Sequence, residues 1–256
     1  TGGDGANTFN ISTTAAFVVA GAGVAVAKHG NRGMSSACGS ADVLQQLGVK
    51  IDAEPSVVER CIDEVGLGFM FAPLYHGAMK HAVGPRREVR VRTIFNILGP
   101  LANPAFAEAQ LIGVYDSALV EPLAHVLKNL GARHAFVVSG TDGLDEVSTS
   151  SSSIIAEARD GNVTVSEFDP SEVGIERSRL EDLSGGDAAV NAGLTEAILR
   201  GEKGPRRDIV ALNAAFALVA ADHAKNVSEG IEAAFRSIDS GAAREKLQRL
   251  KEVSSS

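Results

Sequence analysis

The sequence predicts an α/β fold, with a mainly parallel sheet flanked by helices, for residues 1–256. Short apolar runs rich in β-branched residues alternate with segments of helical periodicity, which is the pattern of strand–helix–strand units. A chain of 256 residues is long enough to bury a substantial core. The sequence shows no internal repeat and no clear boundary between two domains. We therefore expect one large α/β domain.

Each predicted element follows from a local pattern. The predicted strands cover residues 24–27, 69–72, 110–115, 134–139, 154–155 and 163–168. The predicted helices cover 12–23, 41–47, 55–65, 117–130, 186–199 and 209–221, followed by an amphipathic helical segment that ends in frayed serines at 254–256. Ser12 or Thr13 is the expected N-cap of the first helix. Gly131 is expected to end the helix at 117–130. The helix at 209–221 is almost wholly apolar, so we expect it to be buried.

The net charge and the cysteine content limit the binding partners and the cellular location that we expect for this protein. The net charge of −8 argues against a nucleic-acid-binding face, which is usually basic. Cys38 and Cys61 are too few for a disulfide framework or a closed zinc site, and they indicate a reduced, cytoplasmic protein. No run approaches the roughly 18 apolar residues that a spanning helix needs. We therefore expect neither nucleic acid nor a membrane as a partner.

Two clusters have the composition of anion-binding loops. The chain opens on Thr-Gly-Gly-Asp-Gly, with hydroxyls following at Thr8, Ser12 and Thr13 where a helix is predicted to begin. Glycines let successive N–H groups turn toward one anion, and a helix N-terminus adds positive potential. The second cluster, 28–36, offers Lys28, Asn31 and Arg32 among glycines and serines after a strand, which suits a diphosphate. A surface turn with a helix cap, and a solvated loop, are the plain alternatives.

Two further clusters indicate a metal ion and a flat acid. Asp145 and Glu146 follow a predicted strand, and adjacent carboxylates at a strand end suit Mg²⁺, which also takes water and phosphate oxygens. A polar turn is the alternative. Aromatic and apolar residues at 71–76 lie near Arg86 in sequence and could hold a flat carboxylic acid by stacking and a charged hydrogen bond. Arg86 could equally pair with Glu88 on a helix face.

These motifs occur together in the order and spacing of one enzyme family. Thr-Gly-Gly-Asp-Gly, Asn-Ile-Ser-Thr, Lys-His-Gly-Asn-Arg, Leu-Gly-Pro-Leu-Ala-Asn-Pro and Gly-Leu-Asp-Glu resemble those of the anthranilate phosphoribosyltransferases of tryptophan biosynthesis, from Thr1 to about Leu250. The resemblance implies a large domain of the nucleoside phosphorylase and phosphoribosyltransferase type, and usually a homodimer. In the family a small helical domain precedes the glycine-rich loop, and we expect it, with the loop's first glycine, to be absent from this chain.

The resemblance also implies a role for each matching residue. The residues expected to contact 5-phosphoribosyl diphosphate are Gly3, Asp4, Thr8, Asn10, Ser12, Thr13, Lys28, His29, Gly30, Asn31, Arg32, Gly33, Met34, Ser35, Ser36 and Ser40. Mg²⁺ is the implied cofactor, held by Ser12, Asp145 and Glu146, and anthranilate is expected at Asn31 and Arg86. No residue is expected to act as a catalytic nucleophile.

Two other classes of function stay open on the sequence alone. The glycine-rich loop or the Leu-Gly-Pro motif by itself would also fit a pyrimidine nucleoside phosphorylase or a nucleobase phosphoribosyltransferase, although those phosphorylases differ at 28–32. A non-catalytic relative that binds nucleic acid is the second alternative. The acidic composition and the Asp145–Glu146 pair count against it.

Overall fold

The computed structural model describes residues 4–33, 38–77 and 95–256, and its helices and sheets confirm the predicted α/β class. The described strands are β1 (Val26–Gly30), β2 (Leu67–Phe71), β3 (Ala109–Gly113), β4 (His134–Gly140), β5 (Ser153–Arg159) and β6 (Asn162–Phe168). The described α-helices are α1 (Ile11–Gly21), α2 (Ser40–Gln46), α3 (Pro55–Arg60), α4 (Ala72–Tyr75), α5 (Phe95–Leu101), α6 (Val120–Asn129), α7 (Ala188–Leu199), α8 (Pro205–Ala220), α9 (Val227–Asp239) and α10 (Ala242–Ser254).

The strands form two sheets in the described part of the chain. β1 pairs with β2 in parallel, and β3 pairs with β4 in parallel, with Gly113 opposite Val138. β4, β5 and β6 then form an antiparallel meander. The sequence pattern indicates the strands but not this antiparallel extension, because β5 and β6 are joined by a two-residue turn at Asp160 and Gly161 that periodicity alone does not orient.

β4 is an inner strand of the larger sheet, between β3 and β5, and every one of its residues is buried. Phe136 and Val138 lie in the main core with α8, and the Phe136 ring meets that of Phe216 edge to face at 5.3 Å. Ala135 and Val137 face the opposite side, where they pack with residues of α6. This alternation is the two-residue period of a strand covered by helices on both faces.

α8 is the buried helix that its apolar sequence predicts. Residues 209–216 are all buried, and α1 packs along the helix. α8 begins at Pro205, four residues before the predicted start, because proline suits the first turn of a helix. Burial of this helix places the polar side chain of Asn213 inside the core, where its hydrogen bonds must be made within the protein.

Both ends of the described chain are held more firmly than the sequence suggests. Phe9 N donates to the Leu183 carbonyl at 3.1 Å and Gly185 N donates to the Asn7 carbonyl at 2.9 Å, so residues 183–185 support the described end of the glycine-rich loop, where it leads into α1. The expected fraying at 254–256 is wrong at Ser254. This residue is 4% exposed at the end of α10, and its hydroxyl accepts from Lys50 N at 3.2 Å.

The cap of the first helix also differs from the prediction. Asn10 is the N-cap of α1, so the expected cap at Ser12 or Thr13 is wrong. The helix therefore starts one residue before Ser12, which places the Ser12 backbone N–H in the first turn, where it can bind an acceptor outside the helix. Among the described residues, no helix has both the length and the apolar character needed to cross a membrane.

Candidate active site

Three predicted motifs meet where α1 begins and where β1 and β4 end. Lys28 Nζ donates a hydrogen bond to Ser12 Oγ at 3.3 Å. The Ser12 backbone N–H donates in turn to Glu146 Oε1 at 3.2 Å, across 134 residues of sequence. β1 and β4 belong to different sheets, but each is part of a parallel pair, and ligands bind at the carboxyl ends of such strands in α/β folds. One residue each from the three motifs therefore lies at a single site.

Asp4 and Asp145 bring two more carboxyl groups to this site. The Asp4 side chain is hydrogen-bonded to both the side chain and the backbone of Asp145. It also accepts from Ala6 N at 3.3 Å. Burial raises the pKa of Asp4, and the nearby Asp145 raises it further. Ionising both carboxyl groups in this buried position is therefore less favourable than ionising two carboxyl groups that are isolated from each other in water.

Glu146 and Lys28 respond to this crowding in opposite ways. Burial, followed by the charge of Asp145, raises the pKa of Glu146 to about 8, and Lys28 opposes that shift. Burial lowers the pKa of Lys28, while Glu146 and Asp145 hold it up. Among the described residues, the Lys28 ammonium therefore faces three carboxyl groups, and an additional cation would offset the negative charge that remains.

The oxygen donors at this site fit Mg²⁺. The Asp145 and Glu146 carboxylates and the Ser12 hydroxyl lie together, and hard divalent cations prefer oxygen ligands. In the described ranges, no group of three or more His, Cys, Asp or Glu side chains could hold a metal ion on its own. Mg²⁺ usually takes one or two carboxylates and completes its shell with water and substrate phosphate.

The carboxylate loop, residues 140–153, is packed rather than flexible. Leu144 and Val147, on either side of the carboxylate pair, are both 0% exposed. Gly140 N donates to the Leu144 carbonyl at 2.8 Å, and Ser148 Oγ donates to Asp142 Oδ2 at 2.7 Å. Asp142 thus binds its own loop. The serine-rich run belongs to a folded site loop, as the strand that follows it predicts, and is not a linker.

The cation loop, residues 28–40, is held by a residue that the sequence analysis did not identify. Asp42 Oδ2 accepts from Gly33 N and Gly39 N, each at 2.9 Å, and Asp42 Oδ1 accepts from Arg32 Nη1 at 2.9 Å. Burial raises the pKa of Asp42, but these three donors outweigh that effect and leave the pKa below its usual value. Asp42 lies three residues after Gly39, in the first turn of α2, and an acid at this position is the sequence pattern that predicts a carboxylate bonded to the N-cap backbone.

Arg32 serves the same loop. Its guanidinium donates to Asp42 and to Gln45 Oε1, each at 2.9 Å, and lies 5.9 Å from the centre of the Phe71 ring. These contacts tether the loop to α2 and β2. Contact of Arg32 with a diphosphate stays a prediction, because its side chain is already engaged with protein groups.

A buried asparagine connects the start of α1 to the cation loop. Asn191 is 1% exposed, and its Nδ2 donates to Asn10 Oδ1 at 3.0 Å while its Oδ1 accepts from Gly186 N at 2.8 Å. Asn10 Nδ2 donates to the Cys38 carbonyl at 3.4 Å. The predicted diphosphate residue Asn10 is therefore positioned from two sides, and its partner Asn191 was missed from the sequence.

His29 pairs with a histidine outside its own motif. The Nε2 atoms of His29 and His76 lie 3.1 Å apart, with ring centres at 4.8 Å and planes at 79°. Burial and the neighbouring His76 lower the pKa of His29. One ring must donate and the other accept, so the pair is neutral or carries one added proton. Asn103, of the Leu-Gly-Pro motif, supports β1 by donating to the Ala27 carbonyl at 3.0 Å.

The remaining predicted site residues divide into three groups. Gly30 and Asn31 line the cation loop, where Ser40 Oγ donates to the Asn31 carbonyl at 3.3 Å, and Thr8 forms a bridge to Ser184. Thr13 is 1% exposed and packed into the core, so its side chain is not open to a ligand. Several predicted residues lie outside the described ranges: Gly3, Met34, Ser35, Ser36 and Arg86.

The chain matches the glycosyl transferase a/b domain family over most of its length. The family model described as "Glycosyl transferase family, a/b domain" matches residues 1–244. A solved anthranilate phosphoribosyltransferase from Thermus thermophilus superposes with a TM-score of 0.94 at 43% identity, covering 100% of this chain and 76% of that one. The Saccharomyces cerevisiae enzyme, solved in complex with PRPP and Mg, gives a TM-score of 0.91 at 30% identity, covering 99% of this chain and 72% of that one.

Similar proteins of known sequence identify the particular family. An anthranilate phosphoribosyltransferase from Symbiobacterium thermophilum is 59% identical over 252 residues, 98% of this chain and 74% of that protein. One from Geotalea daltonii is 57% identical, over 98% of this chain and 72% of that protein. The chain belongs to the anthranilate phosphoribosyltransferase family.

Proposed function

We propose that this chain transfers the phosphoribosyl group of 5-phosphoribosyl diphosphate to the amine of anthranilate and releases pyrophosphate, a step of tryptophan biosynthesis. The observation that carries the proposal is the connection from Lys28 through Ser12 to Glu146, which brings cationic, hydroxyl and carboxylate groups of three motifs to one point. The family assignment supports the same reaction, because the relatives at 59% and 57% identity carry this name.

The diphosphate is expected between the glycine-rich loop and the cation loop. Asp4, Asn10 and Ser12 border one side of this space, and Lys28 borders the other. Backbone N–H groups at the start of α1 add the positive potential of a helix N-terminus. We assign Ser12, Asp145 and Glu146 as the Mg²⁺ ligands. When bound there, the ion would neutralise charge that develops on pyrophosphate.

The chemical step requires positioning more than proton transfer. The amine lone pair forms a bond to the anomeric carbon, while the bond from that carbon to the diphosphate oxygen breaks and its electrons leave with pyrophosphate. The anomeric carbon gains oxocarbenium character, as at other glycosidic centres. The incoming arylamine is neutral and reacts without prior deprotonation, and its surplus proton is lost after the bond forms. Donors such as Lys28 stabilise the departing pyrophosphate.

Anthranilate is assigned to Asn31 and Arg86. Asn31 lies in the cation loop, next to the space assigned to the diphosphate, and Arg86 would bind the carboxylate through a charge-assisted hydrogen bond. Such contacts fix the amine near the anomeric carbon, and correct placement alone can supply a large part of a rate enhancement. The homodimer and the lack of nucleic-acid binding stay predictions, to be tested by light scattering and by a salt-dependent DNA-binding assay.

Product analysis tests the reaction directly. The chain is incubated with 5-phosphoribosyl diphosphate and Mg²⁺ together with anthranilate, thymine or uracil, and separately with thymidine and phosphate. Anthranilate is expected to be phosphoribosylated with one pyrophosphate released per product, and the nucleobase reactions are expected to stay blank. Transfer to a nucleobase, or phosphorolysis of thymidine in place of anthranilate turnover, would replace the proposal with one of the alternative activities.

A further inference from the structure

The backbone that carries Asp145 and Glu146 must be held in place although its side chains repel one another. Asp145 and Glu146 are adjacent in sequence, and the Asp4 carboxyl lies against Asp145, so three acidic side chains share one site. Like charges in a poorly solvated space repel one another, so a segment carrying them tends to move apart or toward solvent. The backbone of this segment therefore needs anchors that carry no charge of their own.

Asn213 of α8 anchors the backbone directly after the pair. Its Oδ1 accepts from Val147 N at 2.9 Å, and its Nδ2 donates to the Val147 carbonyl at 2.9 Å. The same Nδ2 donates to the Ile209 carbonyl, also at 2.9 Å, which fixes the amide against its own helix. Asn213 is 1% exposed and Val147 is 0% exposed, so no water replaces these bonds when they are lost.

Gly113 bounds the same segment from the other side. It is the last residue of β3, and a Cβ built on it would lie 1.5 Å from the Asp145 carbonyl oxygen and 2.5 Å from the carbonyl carbon. The neighbouring strand limits any retreat of β3, since Gly113 is in register with Val138 and Val114 N donates to the Val138 carbonyl at 2.9 Å. Only glycine leaves room for Asp145 where the structure has it.

We propose that Asn213 and Gly113 form a two-sided clamp that sets the position of the Asp145–Glu146 carboxylates, and that both are positioning residues for the divalent cation. Gly113 admits the Asp145 backbone, and Asn213 pairs with Val147, so the two carboxylates leave the backbone from a segment fixed at both ends. The inference rests on the proposed role of the carboxylate pair, and it adds two residues that touch neither substrate nor metal.

Two variants test the clamp from its two sides. Asn213→Ala removes the amide, and Gly113→Ala forces the Asp145 carbonyl to shift. The probe is Mn²⁺, with binding measured by equilibrium dialysis on the full chain, alone and with saturating 5-phosphoribosyl diphosphate. We expect each variant to bind Mn²⁺ about 10-fold or more weakly, as for other changes that disturb the support of metal ligands, with the KM for anthranilate within about twofold of wild type.

Ser237→Ala is the matched control for a lost buried hydrogen bond. Ser237 lies on α9 and is 3% exposed, and its Oγ donates to the Val18 carbonyl of α1 at 2.8 Å. Ser237 is not one of the site residues. This variant should lower the melting temperature and leave Mn²⁺ affinity unchanged. Equal Mn²⁺ affinity in wild type and in a folded clamp variant would overturn the clamp alone.

The remaining outcomes are also decisive. If the wild-type chain bound no Mn²⁺ in either arm, the metal assignment of the proposed function would fall, and the clamp would fall with it. If Asn213→Ala is not folded by circular dichroism, Gly113→Ala decides the question. If neither variant folds, the two residues maintain the fold as a whole, and their assignment as positioning residues is overturned.

Discussion

The cation loop and the carboxylate loop lie at the same site but are held by different means. Asp42, an ionised side chain that is 24% exposed, gathers Arg32 and the N–H groups of Gly33 and Gly39. The carboxylate loop is held by the neutral amide of Asn213, which is 1% exposed. Asp142 also binds Ser148 within the carboxylate loop, but the tether to another element, Asn213 of α8, is neutral, so each loop is tied to the fold by a group whose charge differs from that of the residues it presents to substrate.

The difference follows from what each loop offers. A loop that presents Lys28 and backbone N–H groups gains from a nearby carboxylate, which offsets the positive charge. Directly beside Asp145 and Glu146, an anionic tether would add to the crowding, and a cationic tether would compete with the metal for the same oxygens. A neutral buried amide avoids both problems. Variants of each loop should accordingly fail in different ways.

Removing the carboxylates should have the largest effect. Asp145→Asn combined with Glu146→Gln keeps side-chain size but removes the charges that would hold Mg²⁺. Because charge stabilisation by a metal ion is worth several kcal/mol, we expect turnover to fall about 10³-fold or more with the fold intact. Rates measured across a Mg²⁺ titration check this. Glu167→Gln, an exposed acid on β6, is the control, and wild-type rates in the double variant would exclude the metal assignment.

Arg86→Ala should separate the two substrates. Arg86 lies outside the described ranges, and its role rests on the family resemblance. Loss of a charge-assisted hydrogen bond is worth about 1.5–3 kcal/mol, so the KM for anthranilate should rise about 10- to 150-fold, and that for the diphosphate much less. Steady-state kinetics with each substrate varied give the two constants. Arg200→Ala, at an exposed ion pair with Glu196, should change neither, and equal effects at Arg86 would assign it to the phosphate or to the fold.

The sequence predicted the chemistry-bearing residues better than it predicted their supports. The sequence motifs that contain Lys28, Ser12 and Glu146 are rich in side chains that bind anions or metal ions, so their chemistry can be inferred from residue type. The structure brings these three residues together. Asn213 and Asp42 sit outside those motifs. An asparagine inside an apolar helix reveals that it must bond something, but its partner Val147 lies 66 residues away and is set only by packing.

The fold shows the same division between local and long-range information. Helix and strand positions follow periodicity, and most fall within a few residues of their predicted bounds. The antiparallel pairing of β5 with β6 and the support of the glycine-rich loop by residues 183–185 depend on long-range contacts, which one sequence does not reveal. The cap at Asn10 was missed because three adjacent hydroxyl and amide residues offered equivalent local signals.

Asp42→Asn should loosen the cation loop and spare the metal. The amide oxygen can still accept from Gly33 N and Gly39 N, but the charge that strengthens these bonds and pairs with Arg32 is lost. We expect the KM for the diphosphate to rise about 5- to 30-fold, equivalent to roughly 1–2 kcal/mol, with Mn²⁺ affinity unchanged. Asp239→Asn, which loses an ion pair with Arg207 at the end of α9, is the control. Weakened Mn²⁺ binding in Asp42→Asn would show that the two loops are not held separately.

β4 ends at the carboxylate loop and begins at His134, a buried residue whose imidazole lies close to acidic side chains. His134 is 0% exposed, and its Nε2 lies 2.8 Å from Glu157 Oε1. The other charged groups near it are Arg133, Arg159, Asp222 and Glu108. Burial lowers the pKa of His134 below its usual 6.5, against the pull of Glu157.

The smallest expected effect is therefore on the pH dependence of stability. Below about pH 6.5 the unfolded chain takes up a proton at His134 that the folded chain refuses, so the free energy of unfolding falls as the pH drops, by at most about 1.4 kcal/mol per pH unit for one proton. His134→Gln should flatten this slope between pH 7.5 and 5.5 in urea denaturation, because glutamine can still donate to Glu157 but does not titrate. His125→Gln, on the exposed face of α6, should leave the slope as it is. An unchanged slope in His134→Gln would mean that the imidazole titrates alike in the folded and unfolded chains, and a steeper slope would mean that Glu157 holds it protonated in the folded state as an ion pair.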